Sequence, residues 1–219
     1  MTPEGIPDAI RRSMRILATH RALFGMPSQP GARGARTMSE VDIVRVVEIF
    51  EVNRAKWALV GAHAIGMLTE PRATADFDFI IEGSKLVAVL ADLTSAFGNL
   101  EANDIGAALQ LKAIDIDLIR STNHVLFREA LEQLQTIGEW KLPRTEVLLV
   151  LKFLAAVSPW RNVDKRALDI VDLRTVYRSV GPSLDRPEMI RLAKTIYPDA
   201  DREFCELLDK IDRGEPIAI

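Results

Sequence analysis

Apolar positions along this chain switch between a helical and a strand-like period. From Pro7 to about Phe24, Ile10, Met14, Leu17 and Leu23 recur at a weakly helical spacing. The stretch 28–36, SQPGARGAR, has the glycine, proline and serine content of a linker. Ser39 then stands where it can cap a helix through Val44, Val47 and Phe50. The run WALVGAHAIGMLTEPRATADFDFIIE, from Trp57 to Glu82, reads as an apolar strand over Ala58–Val60, a Gly61-Ala62 turn and a small-residue helix over His63–Leu68. A second strand in the same run carries Asp76 and Asp78. Leu86, Leu90, Leu93 and Phe97 mark an amphipathic helix over Leu86–Phe97. After a polar loop over Gly98–Asp104, the pattern predicts strands at Ala107–Leu111 and Ile114–Ile119, a helix over Leu126–Leu134 and a short strand over Ile137–Leu142.

From Thr145 onward the periodicity is helical. TEVLLVLKFLAAV is apolar all round except for Lys152, the signature of a buried helix. DKRALDIVDLRTVYRSV forms the next helix, stopped by Gly181-Pro182, and two shorter ones follow over Pro187–Ile196 and Asp201–Ile211. The class expected is α+β: a small mixed β-sheet with flanking helices over 38–143, then a helical bundle over 144–219. Residues 1–37 read as a basic N-terminal extension, with the folded domain starting near Met38.

Composition narrows the setting. With 219 residues, 48% apolar and 27% charged, the chain can bury a sizeable core. No apolar run reaches the length of a membrane span and no secretory leader is evident, so a cytoplasmic location without a membrane partner is expected. The lone Cys205 agrees with a reducing compartment. The net charge is −3, yet residues up to Arg36 hold six arginines against Glu4 and Asp8, so a basic arm accompanies an acidic remainder.

Candidate chemistry centres on the carboxylates. Side chains alternate along a strand, so Asp76 and Asp78 share one face while Phe77, Phe79 and Ile81 take the other. Two adjacent like charges repel, which suggests a cation between them. The sequence IDIDLI adds Asp115 and Asp117 on a neighbouring strand, either of which could supply a third carboxylate. Hard oxygen ligands suit Mg²⁺ or Mn²⁺. Gly61, lacking a Cβ, lets backbone amides at a helix start approach a phosphate. Lys152 needs a partner inside its apolar helix: a phosphate, or Asp169, which with Lys165 and Asp172 shares one face of the following helix. His63 reads as structural, His124 as a surface cap, and Trp57, Trp140 and Trp160 as core or junction residues.

In VGAHA followed by PRATADFDFIIE, the chain resembles the polymerase-beta-like nucleotidyltransferase superfamily, where a Gly-Gly or Gly-Ser turn precedes an Asp-x-Asp strand. The PRxTxDxD form is similar to the branch containing AbiEii-type toxins of bacterial toxin–antitoxin systems, and the likeness covers most of Ala58–Leu173. The resemblance implies that Asp76, Asp78 and Asp117 are catalytic and hold metal, with Asp115 the alternative third carboxylate. It further implies that Gly61, Ala62, Arg72, Lys152, Lys165 and Asp169 form the nucleotide-binding set. Lys152, Arg161, Lys165, Asp169 and Asp172 follow the order of charged residues that this branch carries in its helical half. The implied activity moves an NMP from an NTP to an acceptor hydroxyl with Mg²⁺ or Mn²⁺ and releases pyrophosphate. RNA, such as a tRNA 3′ end, is the implied acceptor, and an antitoxin protein the implied partner. The alternatives are a small-molecule acceptor, a protein side chain, or a non-catalytic binding homologue. Ala62 departs from the pattern: it removes a hydroxyl contact to phosphate and keeps the backbone amide.

Overall fold

The computed structural model describes residues 5–24 and 39–217. The 28–36 linker reading and the boundary at Met38 lie outside the described residues. The chain divides into two compact units, Met1–Leu142 and Pro143–Ile219.

The first unit is built on a five-stranded sheet. Its elements are α1 (Asp8–Phe24), α2 (Glu40–Val52), β1 (Trp57–Val60), α3 (Gly61–Leu68), β2 (Phe77–Ile81), α4 (Leu86–Phe97), β3 (Ala102–Asp104), β4 (Ala108–Leu111), β5 (Ile116–Arg120) and α5 (Val125–Glu132). A two-stranded hairpin follows, β6 (Leu134–Ile137) and β7 (Trp140–Pro143). The sheet order is β1-β2-β5-β4-β3, with β2 parallel to β5 and every other pair antiparallel. A mixed sheet with flanking helices makes the class α+β.

The period-two pattern places the large aromatic side chains on one face of the sheet. Trp57, Leu59, Phe77 and Phe79 are all buried. The Trp57 and Phe79 rings meet edge to face at 5.9 Å, Phe50 of α2 stands 5.1 Å from Phe79, and Trp140 lies 6.1 Å from Trp57. Such tilted and edge-on pairs add about 0.5–1.5 kcal/mol each beyond their buried area. Ser39 caps α2 as its position suggests: its Oγ accepts from the Asp42 amide at 3.1 Å, and the Asp42 carboxylate accepts from the Ser39 amide at 3.0 Å.

The segment read as an N-terminal extension contributes to this unit. Ile6 and Ile10 are buried, the Ser13 hydroxyl donates to the Arg72 carbonyl at 2.6 Å, and Trp140 Nε1 donates to the Gly5 carbonyl at 3.0 Å.

Five local expectations change. The polar loop over Gly98–Asp104 ends in an edge strand, β3, whose exposed Ala-Asn-Asp sequence has no apolar alternation to reveal it. The helix predicted to reach Leu134 stops at Glu132, and the single strand over Ile137–Leu142 is a hairpin. Gly138, at φ +60°, supplies the turn that a branched residue would resist. Ile114 belongs to a 3₁₀ turn over Lys112–Ile114, after which Asp115 adopts a left-handed conformation (φ 50°) and only then does β5 begin. Trp160 is 94% exposed, not a core residue.

The second unit is helical: α6 (Thr145–Val157), α7 (Val163–Val180), α8 (Arg186–Ala193) and α9 (Ala200–Arg213). Phe204, Leu207, Leu208 and Ile211 form the buried stripe of α9, and Phe204 meets Phe153 of α6 at 5.0 Å. The buried stripe of α7 is different, because Asp169 and Asp172 lie in it beside Leu173 and Val176. Their partner comes from α6. Lys152 Nζ donates to Asp169 Oδ1 at 2.9 Å and to Asp172 Oδ2 at 2.7 Å, and all three residues are buried. Arg161 Nε stands 2.6 Å from Asp169 Oδ2 as an ion pair, although no donor is aimed at that oxygen as a hydrogen bond. No described helix is long and apolar enough to cross a membrane.

This network sets a stability expectation. Lys152→Met removes the buried ammonium shared by two buried carboxylates and should cost about 3–5 kcal/mol in urea unfolding, whereas replacing Lys152, Asp169 and Asp172 together by apolar residues should recover most of it. Equal losses in the single and triple variants would contradict the pairing.

Candidate functional site

The row of residues across the sheet at the end of β2 collects the polar side chains. Register aligns Val60 with Asp78, Asp78 with Asp117, Asp117 with Gln110, and Gln110 with Asn103. In-register neighbours project to the same face, so Asp78, Asp117, Gln110 and Asn103 line one surface, opposite the Phe77–Phe79 core face.

Asp78 is half-buried and sits against the start of α3. Gly61, the residue after β1 and the first of α3, has φ +67°, and a Cβ there would fall 1.9 Å from Asp78 Oδ2. Glycine is therefore required twice, for the left-handed backbone and for the room the carboxylate occupies. The N-cap residue of α3, Val60, gives the first-turn amides, Ala62's among them, no side-chain cap. A phosphate accepts from amides of this kind.

Asp76 is exposed at the entrance to β2, and Asp115 precedes β5. The Phe77 amide donates to the Asp115 carbonyl at 2.9 Å, extending the β2–β5 pairing to that level. Burial raises the Asp115 pKa, the negative charge of Asp76 raises it further, and Arg21 of α1 opposes both. Asp76 and Asp115 therefore sense one another just outside the Asp78–Asp117 pair. Asp117 accepts from Gln110 Nε2 at 3.2 Å.

The fit to a divalent cation follows from this layout. Among the described residues no three His, Cys, Asp or Glu side chains converge as a metal-holding group. Two carboxylates in register on adjacent strands nevertheless supply the one or two that Mg²⁺ takes, the remaining positions going to water and substrate phosphate. The donor set fits an open Mg²⁺ or Mn²⁺ site, not a closed protein cage.

The other predicted residues fall in several places. Arg72 is half-buried on the segment between α3 and β2, near enough to His63 to depress its pKa. Lys152 and Asp169 belong to the buried network of the second unit, and Lys165 is exposed on α7. His124 caps α5, accepting from the Leu126 amide at 3.0 Å. Gln110 and Asn103 are the residues that sequence reasoning missed; the single polar position in ALQL, one strand from IDIDLI, is the signal that could have found Gln110.

His63, two residues past Gly61, stacks on Phe77 with ring centroids 3.9 Å apart and planes 10° from parallel. Neither ring nitrogen has a hydrogen-bond partner. Burial, with the Arg72 charge adding to it, lowers the pKa from 6.5 to about 3, so the ring is a neutral packing element.

No family model and no curated protein matches the chain. Among solved structures it is similar to an antigenic nucleotidyltransferase-like protein from Paracoccidioides brasiliensis, at 14% identity and a TM-score of 0.40, the match covering 71% of this chain and 93% of that one.

Two outcomes follow. Gly61→Ala should lose about 1–2 kcal/mol from the left-handed backbone alone, with an added loss from Asp78 displacement that shrinks in an Asp78→Ala background, measured by denaturant unfolding of the four variants. For His63, the folded pKa of about 3 lies below the unfolded 6.5, so the unfolded chain binds the extra proton. Its contribution is complete above pH 6.5 and is lost as pH falls towards 3, at about 1.4 kcal/mol per pH unit. His63→Phe should flatten that part of the stability–pH curve.

Proposed function

We propose that the protein is a metal-dependent nucleotidyltransferase that moves an NMP from an NTP to an acceptor hydroxyl. The observation that carries this reading is the contact of Gly61 with Asp78 at the uncapped start of α3, with Asp117 in register beside it. A phosphate site and a cation site thereby share one carboxylate.

In this reading Gly61 and the Ala62 amide receive the triphosphate, and Arg72 adds positive charge from the neighbouring segment. Asp76, Asp78 and Asp117 would hold Mg²⁺ or Mn²⁺, with Asp115 beside them. The bound cation would neutralise the triphosphate and acidify the acceptor hydroxyl. Asp117 takes up the hydroxyl proton as the acceptor oxygen forms its bond to the α-phosphorus. The bond from that phosphorus to the α–β bridging oxygen breaks, and its electron pair leaves with pyrophosphate. Lys152, Lys165 and Asp169 would order the helical unit and its own charge pairing.

On the resemblance to AbiEii-type proteins, the acceptor is RNA such as a tRNA 3′ end, and the chain is a cytoplasmic toxin restrained by a cognate antitoxin. A second reading, a nucleotide-binding homologue without transfer, draws on the lack of a three-carboxylate convergence among the described residues.

Purified protein incubated with Mg²⁺, each labelled NTP, and either total RNA or a panel of small hydroxylic molecules separates these readings. Label should enter the RNA pool, and Asp76→Ala or Asp78→Ala should reduce it by about 100-fold or more. Label in the small-molecule arm would reassign the acceptor. NTP binding with no transfer would support the second reading, and alanine variants that label as well as the parent would end the first.

A further inference from the structure

We propose that Gln110 is a positioning residue for Asp117, itself held by Asn103, so that the catalytic carboxylate is oriented by a hydrogen-bonded row spanning three strands. The row is specific within its register. β4 and β5 otherwise pair apolar residues: Ala108 with Ile119, Leu109 with Leu118 and Leu111 with Ile116. Gln110 with Asp117 is the one polar pair in that ladder.

The bonds have a single consistent direction. Gln110 Nε2 donates to Asp117 Oδ2 at 3.2 Å, and Asn103 Nδ2 donates to Gln110 Oε1 at 3.2 Å. An ionised carboxylate can only accept, so Gln110 must turn its NH₂ towards Asp117. That leaves its carbonyl facing Asn103, which must then present its own NH₂. Each amide is committed by the one before it.

The electrostatic setting gives the row a purpose. On the β2 side, Asp117 neighbours Asp78, a like charge; on the β4 side it neighbours the Gln110 donor. An N–H donor partly offsets the repulsion and draws one carboxylate oxygen to a defined place. In the plane of the sheet Gln110 lies on the flank of Asp117 opposite Asp78. Donors placed behind metal-binding or reacting carboxylates typically change affinity or activity by about 10- to 100-fold when removed.

The catalytic consequence rests on the transferase reading above; the hydrogen-bonded row does not. Two measurements therefore separate them. In the first, side-chain amide resonances of Gln110 in ¹⁵N-labelled protein should shift on Asp117→Ala and on Asn103→Ala, and no shift in either variant would overturn the row. In the second, Mn²⁺ binding by electron paramagnetic resonance and steady-state transfer are compared in the parent and in Gln110→Met, a side chain of equal length without a donor. With the melting temperature retained, Mn²⁺ affinity and kcat should fall about 10- to 100-fold, while KM for the NTP should stay within about twofold. Asn103→Ala should cost less, and should add nothing in the Gln110→Met background. Parent-like Mn²⁺ binding and kcat in Gln110→Met would overturn the positioning role. A parent that neither binds Mn²⁺ nor transfers would instead end the transferase reading, with the amide resonances still deciding the row.

Discussion

The parallel pairing of β2 with β5 is the constraint on which the rest of the first unit depends. It sets Asp78 beside Asp117 and brings Asp76 within electrostatic reach of Asp115. Two like charges side by side repel, so the juxtaposition has its cause outside the carboxylates themselves. The opposite face enforces it. Phe77, Phe79, Ile116 and Leu118 are buried at the alternating positions, and a slip of one residue would drive the carboxylates into the core. The apolar residues thus hold in place an arrangement that the polar ones resist.

The two units treat charge in opposite ways. In the helical unit, Lys152 and Arg161 meet Asp169 and Asp172, equal numbers of opposite charges closed on one another. Such a network is consumed by structure and specifies how α6 and α7 pack. In the sheet unit, like charges stand together at the mouth of a glycine turn, with an amide donor on one flank. In the reading proposed above, adjacent carboxylates favour a cation and a helix start favours an anion, and a metal-bound triphosphate would supply both.

Gly61 links these features. A side chain there would clash with the Asp78 carboxylate and strain the backbone, so the turn and the carboxylate have to be considered as one object. Ala62, the departure from the motif that the sequence resembles, matters less in this light. Its amide at the start of α3 is a backbone property that the missing hydroxyl does not alter.

Most of the helices and the strands β1, β2 and β4 were legible in the sequence, because period and alternation are local properties of adjacent residues. Asp76, read as part of the second strand, lies one residue before β2. The Asp-x-Asp repeat in IDIDLI was legible as a candidate, but the choice between Asp115 and Asp117 was not. A 3₁₀ turn and a left-handed residue place Asp115 before β5 and Asp117 within it. The edge strand β3 was hidden because exposed polar residues carry no alternation, and with it went the partnership of Asn103 and Gln110. The partner choice of Lys152 was equally open from sequence, since a lysine in an apolar helix is satisfied by any anion within reach. The amino-acid sequence by itself determined which apolar residues alternate towards the core along each strand. Only the tertiary structure decided which strands became neighbours, and hence which charges meet, because strand order is set by long-range pairing that no local pattern encodes.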